Sequence, residues 1–258
     1  MPRSVIDTRR RFLAWQSKRK TIASLPPSAR DLYRASTAEH GATLSPADEG
    51  VRTEVARAAE QINGEEWNFY SDALRPEITE GFARAIDAVR SSPVRYLEIG
   101  SNRGLSMASV ALMLRGRGRL GNLTSIDPYF ESGYHEGASG PYATDRVVAI
   151  NKSTRDNALR LYRNLGISVD LMELTSTEGL RRLIAGGRMF DLIYIDGSHE
   201  GLTPTSDLGL SLACLAPGGV IILDDHAWPD VLPLKKLCDQ HADLVWLTWK
   251  TAAYRLRD

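Results

Sequence analysis

FDLIYIDGSHE (residues 190–200) and LAPGGVIILDDH (residues 215–226) are the two runs that decide the fold. Each holds a short, almost wholly apolar segment of strand length, and each ends in carboxylate and imidazole groups. Asp196 and His199 close the first; Asp224, Asp225 and His226 close the second. A helix-length gap separates the two runs, so they read as neighbouring strands of an α/β sheet joined by a helical crossover. If the strands are parallel, all five groups meet at one sheet edge and suggest a metal site.

The alternation extends outward in both directions. Ile78, Phe82, Ala85, Ile86 and Val89 recur at helical spacing behind the first-turn residue Pro76, and this helix leads into the strand VRYLEIG (residues 94–100). A helix through Leu105, Val110 and Leu114 follows, then the strand NLTSIDP (122–128), ended by Pro128. FESGYHEGASGPYATD (130–145) is too irregular for a core element and long for a connection, the kind of loop that serves a site. Tyr129, Phe130, Tyr134, His135 and Tyr142 make it either an acceptor wall or a loop packing its own rings. A helix near 145–165, the strand ISVDLMEL (167–174), the helix STEGLRRLIAG (176–186) and a helix around 205–215 continue the pattern. After VIILDD comes a helix over 229–241, and LVWLTWKTAAYRLRD (244–258) reads as two β segments joined near Lys250. So short a connection favours antiparallel pairing, which predicts a mostly parallel sheet with one reversed strand at the end.

The chain of 258 residues, 43% hydrophobic and 25% charged, suits one sizeable α/β domain with extensions. Basic and acidic residues both total 32, so no global field draws it to nucleic acid or to an acidic membrane surface. No run approaches the roughly 20 apolar residues of a membrane span. Neither a nucleic-acid nor a membrane partner is expected. Cys214 and Cys238 are the only cysteines and read as small buried hydrophobes. With no apolar run behind the basic start MPRSVIDTRRRFLAWQSKRK, a cytoplasmic location is expected. Residues 1–75 read as an N-terminal extension, helical or partly ordered, and 76–258 as the main domain. Arg9, Arg10, Arg11, Lys18, Arg19 and Lys20 cluster in that extension before Pro26 and Pro27. The cluster reads as a solvated face or tail; a lid, a homo-oligomer contact and an anionic-substrate contact are the alternatives.

EIGSNRG (98–104) lies where a strand meets a helix, so the backbone amides of Ser101 and Asn102 can face a ligand, and Gly100 and Gly104 permit close approach. Asp127 closes the next strand, where a carboxylate can accept hydrogen bonds from ribose hydroxyls. The loop lacks the middle glycine of the dinucleotide fingerprint, which argues against a hydride-transfer cofactor.

Through EIGSNRGLS, SIDP, FDLIYIDGSH and LAPGGVIILDDH the chain resembles the class I S-adenosylmethionine-dependent methyltransferases, over about residues 76–258. The likeness is strongest to small-molecule O-methyltransferases of the catechol type and of the bacterial sugar and natural-product type. It implies a Rossmann-like, doubly wound sheet of seven strands with the last reversed. By the same resemblance Glu98 and Gly100 match the motif at the methionine end of S-adenosylmethionine, Gly104 and Ser106 match the G-x-S that follows, and Asp127 matches the ribose-binding acid. Ser176 matches a residue lining the adenine pocket.

Carboxylate oxygens suit hard cations such as Mg²⁺. The catechol-type pattern implies Asp196, Asp224 and Asp225 as ligands of Mg²⁺ or another divalent cation, and an acceptor hydroxyl on the same ion, aligned with the sulfonium methyl. His199 stands where that pattern has a lysine and is expected to act as the base, the alternative being a hydrogen-bonding role that shapes the loop; His226 is either a replacement base or an outer partner. Asp196-Gly197 is also an ordinary turn pair, Asp224 or Asp225 can cap a helix, and Trp228 can face the acceptor or belong to the core. The expected partner is a hydroxylated small molecule of bacterial natural-product biosynthesis. An enzyme of the same fold in a hydroxylation pathway and a nonenzymatic S-adenosylmethionine-binding protein are the rival readings.

Overall fold

A computed structural model describes residues 44–63, 72–130, 134–135, 149–150, 152–248 and 250–257. The basic cluster of residues 9–20, the proline pair, Tyr142 and most of the glycine-rich loop lie outside them.

Helices α1 (Pro46–Asn63) and α2 (Pro76–Ala88) precede β1 (Val94–Ile99), α3 (Leu105–Gly116) and β2 (Gly121–Ile126). A two-residue ladder, β3 (Tyr134–His135) with β4 (Ala149–Ile150), interrupts the alternation before α4 (Lys152–Asn164). Then come β5 (Asp170–Met172), α5 (Ser176–Ala185), β6 (Phe190–Ile195), α6 (Thr203–Ala213), β7 (Leu215–Leu223), α7 (Leu232–His241), β8 (Ala242–Leu247) and β9 (Ala252–Leu256). The main sheet has seven strands in the order β5-β2-β1-β6-β7-β9-β8, with β9 antiparallel to both neighbours and the other strands parallel. This is the predicted doubly wound sheet with its reversed last strand. The third strand is shorter than the spacing of ISVDLMEL suggests: only Asp170–Met172 pair, with β2.

Both faces of the sheet are buried, and period-two alternation sorts the strand residues between them. Tyr96, Leu192, Tyr194, Val220 and Ile222 pack with Ile78, Phe82 and Ile86 of α2 and Met107, Val110 and Met113 of α3. Leu97, Ile99, Ile193, Ile195, Ile221 and Leu223 face Leu180 and Leu183 of α5, Leu208 of α6, and Leu234 and Cys238 of α7. Pro217–Gly219, expected as a tight turn, bulges out of β7 between the pairings Phe190–Leu215 and Leu192–Val220. Cys214 and Cys238 are free and buried, and burial pushes both thiols up to about 11. Among the described residues no helix is long and apolar enough to cross a membrane.

Helix α1 packs Val55, Ala58 and Ala59 against Leu105, Ala108 and Leu112 of α3 and Leu161 of α4. The Arg117 guanidinium ties this layer down: it reaches Asp48 of α1 at 2.8 Å and Asp87 of α2 at 2.7 Å. Removing two methyl groups from the fully buried Val55 leaves a cavity between these helices. Val55→Ala is therefore expected to lower the unfolding free energy by about 2 kcal/mol in a denaturant titration; no change would mean that α1 does not fold with the sheet.

Candidate active site

β1 pairs with β2 on one side and β6 on the other, so the strand order reverses direction at β1. A crevice opens at the carboxyl ends of the strands at such a point. Hydrogen bonding continues one residue past the strand ends: Gly100 N–H donates to Ile126 O at 2.9 Å, Asp196 N–H to Ile99 O at 2.8 Å and Asp224 N–H to Ile195 O at 3.0 Å. Asp127, Gly100, Asp196 and Asp224 are thereby set side by side along one edge.

The glycine loop is built tightly. Gly100 has φ +86°, and a Cβ there would stand 2.0 Å from the Asp196 carbonyl oxygen; Gly104 has φ +79°, and its Cβ would stand 2.5 Å from the Tyr162 hydroxyl. No side chain fits either position. Glu98 is fully buried at the end of β1, where the Tyr96 hydroxyl donates to one carboxylate oxygen at 2.8 Å and the Ser106 hydroxyl to the other at 2.9 Å. Burial outweighs both donors and pushes the Glu98 carboxyl up to about 8. Ser101 is buried with its hydroxyl against that of Ser125.

Asp127 accepts from Asn102 N–H at 2.8 Å and from Tyr129 N–H at 3.1 Å, so both of its oxygens brace the loop; burial still lifts its pKa above the usual value. Tyr129, one of the expected acceptor-wall rings, is instead buried with φ +40°, and its hydroxyl donates to Asn102 O at 2.8 Å. It supports the loop from behind. Asn102 Oδ1 is shut off from solvent without a hydrogen-bond partner among the described residues. A buried acceptor left bare is costly until a donor arrives, and the ammonium and hydroxyl groups of S-adenosylmethionine are such donors. Ser176 is the first residue of α5, behind the capping box of Thr175 and Glu178. It stands near Asp207 of α6, a fully buried carboxyl that enclosure pushes up to about 6 against the opposing pull of Ser176 and His199.

At the second acidic pair, donor atoms of Asp196, His199 and Asp224 lie within 4.8 Å of one another. The Tyr194 hydroxyl is 2.9 Å from Asp224 Oδ1 and 3.1 Å from Asp196 Oδ2. Enclosure and the adjacent Asp224 carboxylate drive the Asp196 carboxyl well above its usual range, with Lys250 pulling the other way. His199 sits between the acidic ends, Nε2 at 3.6 Å from Asp196 Oδ1 and Nδ1 at 3.9 Å from Asp225 Oδ2, with the half-buried Trp228 ring 6.1 Å away. Asp225 has φ +43° and turns its carboxylate to the Lys250 ammonium at 3.2 Å; it meets the cluster at His199 and is not among the three residues whose donor atoms lie within 4.8 Å of one another. His226 is buried, its Nε2 at 2.8 Å from Thr248 O, and burial holds its pKa below the usual value, so the ring is neutral and Nε2–H donates.

Tyr194, Lys250 and Asp207 carry much of this geometry and are absent from the residues that sequence patterns single out. Tyr194 had a signal, since period two puts it on the face of Asp196, as Tyr96 is on the face of Glu98. Lys250 reaches the site from a hairpin more than twenty residues away and had none.

The methyltransferase-domain family matches residues 97–226, half of the chain. The chain belongs to this family. Family and fold together make it a class I S-adenosylmethionine-dependent methyltransferase, and S-adenosylmethionine is the cofactor they imply. The calicheamicin methyltransferase CalS11 is similar in fold, with a TM-score of 0.57 at 17% identity over 84% of this chain and 95% of that one. So are the Podospora anserina methyltransferase PaMTH1 (TM-score 0.53, 16% identity, 91% and 98% covered) and the Streptomyces achromogenes O-methyltransferase TomG of tomaymycin synthesis (0.51, 15%, 86% and 94%). No curated protein sequence matches the chain.

Glu98 makes the methyltransferase sensitive to pH. Its folded-state pKa of about 8 lies above the ordinary 4.5, so the folded chain holds a proton that the unfolded chain releases. This contribution is fully present below 4.5 and is lost as pH rises towards 8. Glu98→Gln removes that slope. The expected gain of the variant on the parent between pH 5 and pH 8.5, read from unfolding titrations at both, has an upper limit of roughly 4 kcal/mol; parallel pH curves would refute a protonated Glu98.

Proposed function

We propose that the methyltransferase is a divalent-metal-dependent O-methyltransferase that moves a methyl group from S-adenosylmethionine to a hydroxyl of a sugar or phenolic small molecule in bacterial natural-product biosynthesis. The observation that carries this reading is the meeting of Asp196, His199 and Asp224 within 4.8 Å beside the loop assigned to the cofactor. The calicheamicin and tomaymycin enzymes, which are similar in fold, are consistent with it.

In this reading Glu98, Gly100, Ser101, Asn102, Gly104, Ser106 and Asp127 form the cofactor cradle, with Ser176 towards the adenine. Glu98 and Asp127 act mainly by holding the loop whose free acceptor is Asn102 Oδ1. Asp196 and Asp224 hold the cation, while Asp225, assigned as a third ligand by resemblance, is paired with Lys250. The donor set suits a divalent ion: two carboxylates crowd together, one drawn towards protonation, and a dication relieves that crowding. When bound, such an ion lowers the pKa of a coordinated hydroxyl and fixes its oxygen. Tyr194 keeps both carboxylates aimed at one point, its single hydroxyl proton within reach of each.

His199 accepts the hydroxyl proton at Nε2. Carboxylates of Asp196 and Asp225 flank the ring at 3.6 and 3.9 Å and hold it at the edge of the acidic pair. The remaining work is positioning the acceptor oxygen in line with the S–CH₃ bond that breaks. The N-terminal extension is proposed as a lid or an oligomer contact.

The test is transfer of isotopically labelled methyl to a panel of nucleotide sugars, sugars, phenols and catechols, with and without chelator. Label is expected on a hydroxyl oxygen, with turnover falling at least about tenfold in chelator and returning with Mg²⁺ or Mn²⁺. Full turnover in chelator would remove the metal, and label confined to nitrogen or carbon acceptors would remove the O-specificity. His199→Gln is expected to retain Mn²⁺ binding while losing roughly 10²- to 10⁴-fold in kcat. Loss of Mn²⁺ binding in that variant would make His199 a ligand instead.

A further inference from the structure

The acidic edge holds a cation of its own. Lys250 Nζ is hydrogen bonded to Asp224 Oδ2 and stands 3.2 Å from Asp225 Oδ2, and its side chain is 12% exposed against a fully buried Asp224 carboxylate. Its backbone is fixed from several directions. His226 N–H donates to Lys250 O at 3.1 Å, and the neutral His226 ring donates through Nε2–H to Thr248 O at 2.8 Å. Thr248 N–H donates to Thr251 O at 2.8 Å, while Thr248 Oγ1 accepts from the N–H groups of Lys250 and Thr251 at 3.1 and 2.8 Å. This knitted hairpin delivers the lysine to one place and leaves its flexible four-carbon stem as the part that can move.

Asp224 Oδ1 accepts from the neutral Tyr194 hydroxyl, which leaves that oxygen a lone pair for a metal, whereas the Lys250 ammonium on Oδ2 repels any dication brought to the same carboxylate. Tyr194, its ring held edge-to-face on Phe82 with centroids 5.1 Å apart, need not yield. The ammonium can, because Asp225 beside it offers a second carboxylate at the more exposed rim.

We propose that Lys250 is a resident counter-cation that competes with the divalent ion for Asp224, and that loading of the metal requires its ammonium to withdraw from Asp224 towards Asp225. This rests on the metal reading given above and adds a control to it. With no ion bound, Lys250 neutralises the strand ends and keeps Asp224 and Asp225 together. Once it swings to Asp225, it leaves Asp224 Oδ2 to the ion and holds Asp225 out of the ligand set. His226 is a positioning residue in this scheme and touches neither ion nor acceptor.

Mn²⁺ serves as the probe, since a carboxylate-rich site accepts it and its free aquo form is read by electron paramagnetic resonance. Binding is measured on the full chain for the parent, Lys250→Met, Lys250→Arg and Asp196→Asn, alongside thermal unfolding with and without Mn²⁺. The expected result is that Lys250→Met binds Mn²⁺ at least about tenfold more tightly than the parent. Lys250→Arg, which keeps the charge, stays close to the parent, and Asp196→Asn binds weakly. In thermal unfolding Lys250→Met without metal is expected to melt below the parent, and Mn²⁺ to restore it. If Lys250→Met fails to fold without metal, refolding of that variant by Mn²⁺, at concentrations too low to shift the parent, supports the same conclusion. Equal or weaker Mn²⁺ binding by Lys250→Met, with Asp196-dependent binding intact in the parent, overturns the competition and leaves the metal reading standing. Absence of Asp196-dependent binding in both parent and Lys250→Met overturns the metal reading itself, and the competition with it.

Discussion

Ile195 pairs with Ile99 on one side and with Leu223 on the other, and that in-register parallel ladder is the constraint on which the site depends. Each strand ends at the same level, so the next residue of β1, β6 and β7 is Gly100, Asp196 and Asp224. A slip of one residue in any pair would send an acid to the opposite face and drive an apolar side chain into the crevice. The slip is prevented by the core. Leu97, Ile193 and Ile221 face one helix layer, Tyr96, Leu192 and Val220 the other, and both layers are fully buried. Packing on two faces thus fixes a geometry that its polar residues could not hold alone.

Putting carboxylates at the ends of such strands carries a desolvation cost, and the same device offsets it twice. Tyr96 lies two residues before Glu98 and donates to it; Tyr194 lies two residues before Asp196, and its single hydroxyl proton is within reach of Asp224 at 2.9 Å and Asp196 at 3.1 Å. A phenol on the same face reaches the carboxylate with an apolar ring still in the core, which a serine or lysine would not do. The two sites differ in what else arrives. Glu98 receives only neutral donors and is drawn towards protonation, which suits a buried scaffold under a loop. Asp224 receives an ammonium as well as a neutral hydroxyl.

The sheet was legible because its signals are local: apolar runs of strand length, helical spacing between them, Pro and Gly at the boundaries, and a final pair of segments too closely joined to be parallel. The strand-end acids were legible for the same reason. Their division of labour was not. Asp224 and Asp225 look equivalent in sequence, but neighbouring residues at a strand end cannot aim one way, and the positive φ of Asp225 turns it from the cluster while His199 comes in. Tyr129 reads as a surface aromatic from its loop, yet its hydroxyl is needed on Asn102 O and its ring is buried. Asp127 is in the predicted place, with both oxygens already engaged by backbone amides. For Tyr129 and Asp127 the deciding partner is a backbone group, and for Asp225 it is the Lys250 ammonium; only the folded chain specifies where these stand.

The reversed strand β9 gives the same lesson for function. Its antiparallel pairing with β7 runs from Leu223–Ala252 to Val220–Arg255, so the turn before Ala252 lies beside the end of β7. A parallel strand in that place would put the preceding connection at the opposite edge of the sheet, away from Asp196, Asp224 and Asp225. Reversal therefore brings the β8–β9 hairpin to the acid pair, where Lys250 meets Asp224 and Asp225 and Thr248 O meets His226. His226 then becomes intelligible as a neutral brace between the acid pair and that hairpin, since a charged imidazole would oppose the ammonium it helps to place. What the topology supplies at this edge is a cation attached to the fold, whose withdrawal governs how much negative charge the crevice presents.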